Sequence, residues 1–312
     1  MDSSVKPRRS PLLIQLLWWV MFGSVLPYHA EGQSVDKDRW FPKESYFSAP
    51  VAAPREPMFA LRGMWTDVFA KTTAPGEREP FSFDGADGLP RELQGEAAIG
   101  GHVRIWQPAQ WVGGGLILGI QTGVFGRFRL EVTSSDLVSS DWLVAFPAEF
   151  AWRRWSGRVR FTHWSAHIGD ELVETTGARR LDFTSETFDG LAAYDLGTVR
   201  LYGGGGLVTR SSLENEEQLG PNFSDNGFVQ AGAEGRWLPW ADGKFGVETA
   251  LDWLAADRTA WRAGVSAVAG LTVRDGDRSA ALRARFHDGP SPMGQFFLTD
   301  ERYWGFELLL VF

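Results

Sequence analysis

From Ala97 to the end of the chain, apolar residues recur at every second position. Phe128 and Leu130, for example, alternate with Arg127 and Arg129. A period of two is typical of β-strands that have one apolar and one polar face. Outside the N-terminus the sequence contains no run of about 18 apolar residues, so it predicts no membrane-spanning helix there. Strands of a membrane β-barrel need no such run, because only every second residue faces lipid.

The alternating segments predict an all-β fold, an antiparallel up-and-down transmembrane β-barrel of about twelve strands over residues 97–312. The predicted strands lie near residues 97–107, 114–122, 126–134, 141–152, 157–167, 180–195, 198–210, 227–238, 244–254, 261–274, 278–288 and 302–312. The tight turns are at 195–198, 240–244 and 275–278, and the long polar connections are at 168–180, 211–226 and 288–301. Bacterial barrels have short periplasmic turns and long extracellular loops, so we expect both chain ends on the periplasmic side.

The first 32 residues have the pattern of a cleaved signal peptide. Basic residues precede an apolar stretch at 12–26, and Ala30 and Gly32 supply small side chains for cleavage after Gly32. This predicts export from the cytoplasm. The chain contains 0 Cys, which excludes disulfides, thiol catalysis and cysteine-ligated metal sites.

Residues 33–96 differ from the alternating region because they are rich in proline and charge. Proline interrupts both strand ladders and helices. We therefore expect an irregular segment with a short helix near residues 58–70, located in the periplasm or packed into the barrel mouth. A disordered linker is the alternative.

The final segment carries a further signal. Trp304, Phe306, Leu308, Leu310 and the terminal Phe312 share one face of the last predicted strand. A last strand with outward aromatic residues and a terminal Phe resembles the signal that the bacterial barrel-assembly machinery recognises. The pattern predicts that machinery as a partner and the outer membrane of a Gram-negative bacterium as the location, in contact with outer-membrane lipids and lipopolysaccharide. A buried edge strand of a soluble sandwich is the alternative.

Charged residues of both signs fall on the face opposite the apolar one. The basic residues are Arg104, Arg127, Arg129, Arg158, Arg160, Arg200, Arg236, Arg283 and Arg285, and the acidic ones are Glu131, Glu149, Glu234, Glu248, Asp252 and Glu307. They predict either a narrow anion-preferring pore or a network of ion pairs that fills the lumen, and we favour the network because a barrel of this size leaves little room. The net charge is −8 and there is no basic patch, so nucleic acid is not an expected partner.

Five segments spread over the mature chain resemble a family of uncharacterised Gram-negative outer-membrane proteins, domain of unknown function 1207. The segments are 53–57, 135–141, 163–171, 200–205 and 292–297. The segment from His163 to Glu171 is the most specific, although Ala166 stands where a second serine is expected. The resemblance implies an outer-membrane barrel and no particular activity.

His163, Ser165 and His167 lie two residues apart on the fifth predicted strand, so their side chains point the same way. Parity puts them on the lipid-facing side, at the extracellular end. Polar groups on a lipid face are costly away from the interface. The pattern is therefore a candidate for chemistry.

The arrangement is similar to outer-membrane phospholipase A and to the lipid A deacylases, which use a His-x-Ser pair on an outward barrel face. The resemblance implies Ser165 as nucleophile and His163 as its base, with a third group that orients the imidazole. The candidates for that group are Glu186 on the next strand and, as alternates, Asp170 and Glu171 in the following loop.

The sequence also departs from that pattern. The phospholipase has Asn-Gly after its serine, where this chain has Ala166 and His167. The alternatives are an ordinary interfacial surface and a contact with lipopolysaccharide. No metal or cofactor is predicted, and calcium is the one ion left open.

Three functions follow from these patterns. The first is an outer-membrane barrel of unknown activity, structural or in contact with lipid. The second is a lipid acyl hydrolase that uses His163 and Ser165. The third is a narrow anion-preferring pore.

The barrel assignment predicts that the unboiled protein migrates differently from the boiled protein in a denaturing gel, because a closed sheet resists detergent. It also predicts that the protein fractionates with the outer membrane. Recovery of the protein in the soluble periplasmic fraction would refute the barrel.

Overall fold

The computed structural model describes residues 35–70, 79–80, 92–109, 114–131, 135–176, 180, 183–212, 224–276 and 278–311. The predicted signal peptide at 1–32 and the terminal Phe312 lie outside these ranges. Helix α1 spans Asp170–Thr176. Within the described ranges, no helix has the length and apolar character that a membrane crossing requires.

Twelve long strands form one closed antiparallel sheet. They are β1 Phe59–Ala70, β2 Glu92–Gln107, β3 Gly115–Arg129, β4 Leu137–Trp152, β5 Trp155–Ile168, β6 Phe183–Asp195, β7 Val199–Ser212, β8 Gly227–Trp240, β9 Phe245–Ala256, β10 Ala263–Asp275, β11 Arg278–Pro290 and β12 Asp300–Val311. Each strand pairs with its neighbour in sequence, and β12 pairs with β1, which closes the barrel. Two-residue strands at Arg39–Trp40 and Glu79–Pro80 add short pairings to β2 and β1.

The closed antiparallel barrel and its strand number confirm the predicted fold, but two predicted elements were wrong. Residues 59–70 form strand β1 rather than a helix, so the barrel begins at Phe59 and not at Ala97. The inward residues Ala60 and Met64 are apolar, so polar and apolar residues do not alternate strictly along β1. Ala60 packs with Ala98 on the neighbouring strand.

The second error concerns β3, which sequence analysis divided into strands at 114–122 and 126–134. Gly123 and Gly126 resemble a turn in the sequence, yet both lie inside one continuous strand. The space at these glycines is used by aromatic rings, since Phe125 lies against Gly123 and Phe128 against Gly126. The two errors compensate, which is why the count of twelve was still correct.

The connections alternate in length, as predicted. One end of the barrel, here called the short-turn end, has the connections 108–114, 153–154, 196–198, 241–244 and 276–277. The opposite, long-loop end has the connections 71–91, 130–136, 169–182, 213–226, 257–262 and 291–299. Strand β1 begins at the short-turn end, and β12 ends there.

The outer wall carries an apolar band between two rings of aromatic side chains. The aromatic residues near the short turns include Trp152, Trp155, Trp240 and Phe245, and those near the long loops include Trp65, Trp142, Trp253 and Trp304. Trp65 and Trp304 stack across the closing strand pair with ring centroids 4.6 Å apart. Such girdles lie at the two membrane interfaces of outer-membrane barrels.

Residues 44–58, here called the plug, form an irregular segment inside the barrel. The chain reaches the plug from the short-turn end, where Trp40 pairs with Trp106, and leaves it at the same end at Phe59. Inside the lumen, the backbone N–H groups of Tyr46 and Phe47 donate to Glu149 at 2.9 and 3.2 Å. Residues 33–96 were predicted to be one irregular segment; residues 44–58 are irregular and lie inside the barrel, whereas residues 59–70 and 92–96 belong to strands β1 and β2.

The tip of the plug is held by ion pairs. Arg55 contacts Glu96 at 2.9 Å and Asp141 at 3.2 Å. Glu56 accepts from Arg158 at 2.8 Å and from Arg160 at 3.3 Å. The four wall residues lie on β2, β4 and β5, so the plug tip forms ion pairs with three strands.

Many of the other lumen charges form an ion-pair network around Glu307 and Arg127. Glu307 is 0% exposed and contacts Arg62 at 2.6 Å, Arg283 at 3.0 Å and Arg285 at 3.1 Å. Arg127 joins Glu96 to Glu301. The structure thus contains the lumen network that sequence analysis favoured. Glu131 was assigned to the lumen wrongly: it lies beyond the end of β3 and is exposed.

We expect the Glu56→Gln substitution to destabilise the barrel by about 3–5 kcal/mol, because it leaves the buried charges of Arg158 and Arg160 without their plug partner. Urea unfolding followed by gel migration measures this loss. Glu44→Gln is the matched control, since the Glu44–Arg39 pair is solvent-exposed and we expect a change below about 1 kcal/mol. Equal effects of the two substitutions would contradict this account.

Candidate functional site

The predicted polar residues of β5 lie on the outer wall. His163 and His167 are exposed and Ser165 is half-buried, whereas the alternate residues Thr162 and Ala166 are buried inside the barrel. This assignment to the outer face agrees with the parity of the sequence. The cluster lies near the end of β5 at the long-loop end of the barrel.

The side chains form two contacts. Ser165 Oγ lies 2.8 Å from His167 Nε2, within hydrogen-bond distance. His163 Nδ1 lies 3.6 Å from Glu186 Oε1, within ion-pair distance if the imidazole is protonated. Ser165 therefore has an imidazole two residues away on each side, and the hydrogen bond of its hydroxyl is to His167 rather than to the predicted base.

Glu186 reaches His163 because the two residues are direct cross-strand partners on β5 and β6. The register between β6 and β7 shifts at Glu186, where Thr209 is the extra residue of a β-bulge. The Thr209 hydroxyl donates to the Glu186 carbonyl at 3.0 Å. The bulge places Arg210 opposite Glu186, so His163, Glu186 and Arg210 form a row across three strands. Bulges commonly re-aim side chains next to functional sites.

The two alternate acidic residues lie elsewhere. Asp170 begins helix α1 and forms an ion pair with Arg180, and Glu171 is an exposed residue of the same helix. Helix α1 packs through Leu172 onto the apolar cluster that contains Ile168 at the end of β5. Within the described part of the chain, Glu186 is thus the predicted acidic residue that lies beside His163.

An exposed aromatic residue sets the position of the cluster relative to the membrane. Trp142 on β4 is the cross-strand partner of Ser165, and 52% of its surface is exposed. Its indole N–H donates to Ser140 at 3.3 Å. Because Trp side chains concentrate at the headgroup level of membranes, Trp142 predicts that the cluster lies near the membrane interface.

The arrangement contains the groups that acyl transfer requires: a hydroxyl, imidazoles in reach and a carboxylate beside one imidazole. Among the residues that the structure describes, no group of three or more His, Asp or Glu side chains could hold a metal ion.

The sequence pattern predicted His163, Ser165 and Glu186 as site residues, and the structure shows two further side chains beside them, those of His167 and Arg210. The contact of His167 with Ser165 was detectable in principle, since both residues share a strand face. The place of Arg210 was not detectable from alternation, because the bulge at Thr209 changes the parity of β7.

The chain belongs to a family described as "Protein of unknown function (DUF1207)", whose model matches residues 100–312. Among curated proteins, none matches the sequence. The barrel is similar to the calcium-bound dimer of the outer membrane phospholipase of Salmonella typhi, with a TM-score of 0.50, 11% identity, and coverage of 81% of this chain and 91% of that one.

Two further solved structures share the barrel architecture. The outer membrane phospholipase A of Escherichia coli has a TM-score of 0.48 and 11% identity, with coverage of 81% of this chain and 97% of that one. An outer membrane channel from Pseudomonas putida F1 has a TM-score of 0.44 and 12% identity, with coverage of 85% and 100%. The similarity to the Salmonella protein shows that the two chains share the barrel fold.

The outward orientation of the cluster predicts the labelling of single cysteines, which is unambiguous because the native chain has 0 Cys. In intact cells, Ser165→Cys should react with a bulky membrane-impermeant maleimide, since the side chain faces out near the long loops. Thr162→Cys is the matched control on the same strand and should stay unlabelled, because Thr162 is 4% exposed and faces the plugged lumen. Labelling of both positions at equal rates would contradict the assignment of faces.

Proposed function

We propose that this member of the DUF1207 family is an outer-membrane lipid acyl hydrolase with Ser165 as its nucleophile. The observation that carries the proposal is the polar cluster on the outer wall: a serine hydroxyl within 2.8 Å of one imidazole and beside a second imidazole that contacts a carboxylate. A structural role does not require a serine hydroxyl, two imidazoles and a carboxylate to lie together on the outer wall.

In the proposed reaction, His163 takes the proton of Ser165 as the hydroxyl oxygen attacks the ester carbonyl carbon. The tetrahedral intermediate then expels the lipid alcohol, which accepts the proton from the imidazolium. Water activated by the same imidazole releases the fatty acid from the acyl-serine. Glu186 lies 3.6 Å from His163 Nδ1, so it orients the ring and stabilises its charged form.

His167 holds the hydroxyl in the resting arrangement, and Ser165 must turn towards His163 for the reaction. Residues two apart on a strand are about 6.7 Å apart along the chain, which leaves both imidazoles within reach of a hydroxyl that changes rotamer. Catalytic hydrogen bonds are often absent or long before substrate binds. The contact with His167 is therefore compatible with His163 as base.

The substrate class follows from the position of the cluster. Trp142 lies beside Ser165 at the level of lipid headgroups, where acyl esters are located. Arg210 is exposed in the same row as His163 and Glu186, and it offers a cation to a headgroup phosphate. Glycerophospholipid and the acylated phosphosugar of lipopolysaccharide both have this chemistry. The similar Salmonella protein is described as a phospholipase, and calcium is a variable in the assay because that protein binds it.

A structural barrel without catalysis is the second candidate. The observation that favours it is the ion-pair network, which gives the lumen a role in stability and none in transport. Under this alternative, the outer cluster contacts lipopolysaccharide without cutting it.

The decisive measurement is fatty-acid release by the refolded protein from phospholipid vesicles and from lipopolysaccharide, with calcium and with a chelator. We expect Ser165→Ala to abolish release and His163→Gln to reduce it by about 10²–10⁴-fold, the range of general-base catalysis. Glu186→Gln should reduce release less, because it only orients the base. His167→Gln should retain most activity.

Ser212→Ala is the matched control for this assay, since Ser212 is an exposed serine on β7 whose cross-strand partner is Thr184. It should leave the rate unchanged. Absence of release from every lipid, with the barrel folded, would refute the hydrolase and favour the structural candidate.

Conductance of the refolded protein in planar bilayers tests the remaining alternative, an anion-preferring pore. We expect no steady conductance from the wild-type chain, because the plug and the ion pairs occupy the lumen. A variant in which both Arg55 and Glu56 are changed to Ala should conduct intermittently, since the plug tip loses its four ion-pair partners. Steady anion-selective conductance from wild type would favour the pore.

A further inference from the structure

A second polar region lies inside the barrel, on the opposite side of β5 from Ser165. Between the plug tip and the long-loop end, the lumen contains a cavity of about 170 Å³. Inward residues of β5, β6 and β8 to β11 line it, together with the turn at Asp257–Thr259 and the loop that contains Gly294. None of the proposed hydrolase residues lines this cavity.

Two buried donors in the cavity wall have no acceptor. Ser185 is 2% exposed and its hydroxyl has no hydrogen-bond partner among the described residues. The indole N–H of Trp164 is likewise buried without a partner in that part of the chain. Trp164 and Ser185 are direct cross-strand partners on β5 and β6, and both side chains line the same cavity. Buried donors without acceptors are rare and call for an explanation.

A guanidinium lines the same cavity. Arg258 stacks on Phe183 and Phe297, with its central carbon 5.1 and 5.6 Å from the two ring centroids. Within the described ranges no carboxylate comes into ion-pair contact with it, although Asp225 and Asp141 attract it from further away. Burial lowers the pKa of Arg258, which means that the surroundings do not fully compensate its charge. The cation is therefore available to an anion in the cavity.

The other lining groups limit the charge and size of that anion. Asp189, Asp225 and Asp252 also line the cavity, so a doubly charged phosphate would meet repulsion. Phe297, Met293 and Leu254 supply an apolar surface. A cavity of about 150 Å³ is large enough for one benzene molecule, so the space suits a compact body of similar size.

We propose that this cavity binds a small monocarboxylate with an aromatic or compact apolar body. The carboxylate pairs with Arg258 and accepts hydrogen bonds from Ser185 and Trp164, while the apolar body packs against Phe297 and Met293. The plug tip forms the floor of the site, so the ligand is held and does not pass through the barrel. The site is independent of the proposed hydrolase.

Benzoate is the probe for this proposal, with benzamide as a neutral analogue of the same shape and inorganic phosphate as the competing anion. Titration of the full chain refolded in detergent, followed by ligand-observed NMR, should show saturable benzoate binding and at least tenfold weaker binding of benzamide and phosphate. Arg258→Gln should weaken benzoate binding at least tenfold. Ser185→Ala should weaken it severalfold while preserving the shape of the wall.

Arg153→Gln is the matched control, because Arg153 also stacks on an aromatic ring, that of Trp152 at 4.9 Å, but lies at a short turn away from the cavity. It should leave the affinity unchanged. Heat-modifiable migration confirms that each variant is folded. The proposal is overturned if benzoate does not bind saturably, if benzamide or phosphate binds as tightly, or if folded Arg258→Gln and Ser185→Ala both bind like wild type.

Discussion

The pairing of charges inside a narrow lumen is the constraint on which the rest of this barrel depends. An uncompensated charge in a low-dielectric interior is strongly destabilising, so each inward arginine and carboxylate needs a partner. The wall supplies many of these partners, and the plug supplies Arg55 and Glu56. The charges of the plug and of the wall therefore stabilise each other. Strand β1 continues directly from the plug in the chain, so the plug is joined to the wall by the backbone as well as by ion pairs.

Because ion pairs and the plug occupy much of the lumen, the two candidate sites lie on the outer wall and in the cavity next to Arg258. Strand β5 separates them, because its alternate residues face opposite sides: Ser165 points to the membrane interface, and Trp164 points to the cavity. A single strand thus contributes to both candidate sites. The exposed Trp142 lies beside the outer site, and the plug tip closes the inner site from below.

Alternation along a strand predicts which face each residue of the candidate site is on, but not the contacts that its side chain makes. The outward orientation of His163 and Ser165 follows from alternation alone, and the choice of Glu186 follows from its place on the next strand. The hydrogen bond between Ser165 and His167 depends on side-chain rotamers, which a pattern does not specify. The position of Arg210 depends on one extra residue at Thr209, and a bulge near the end of a strand cannot be recognised from the alternation of apolar residues.

The sequence by itself determined the barrel class, most strands, the alternation of short turns and long loops, and the faces of β5. Period-two alternation is a local property, because each residue's face depends only on its position along one strand. Tertiary structure alone decided that residues 59–70 close the sheet and that the plug fills the lumen. The plug has no periodicity, and its partners are distant in sequence: Arg158 is 102 residues from Glu56, and Pro292 is 237 residues from Arg55. These plug–wall contacts form only after the barrel has closed, because only then do the wall residues surround the plug.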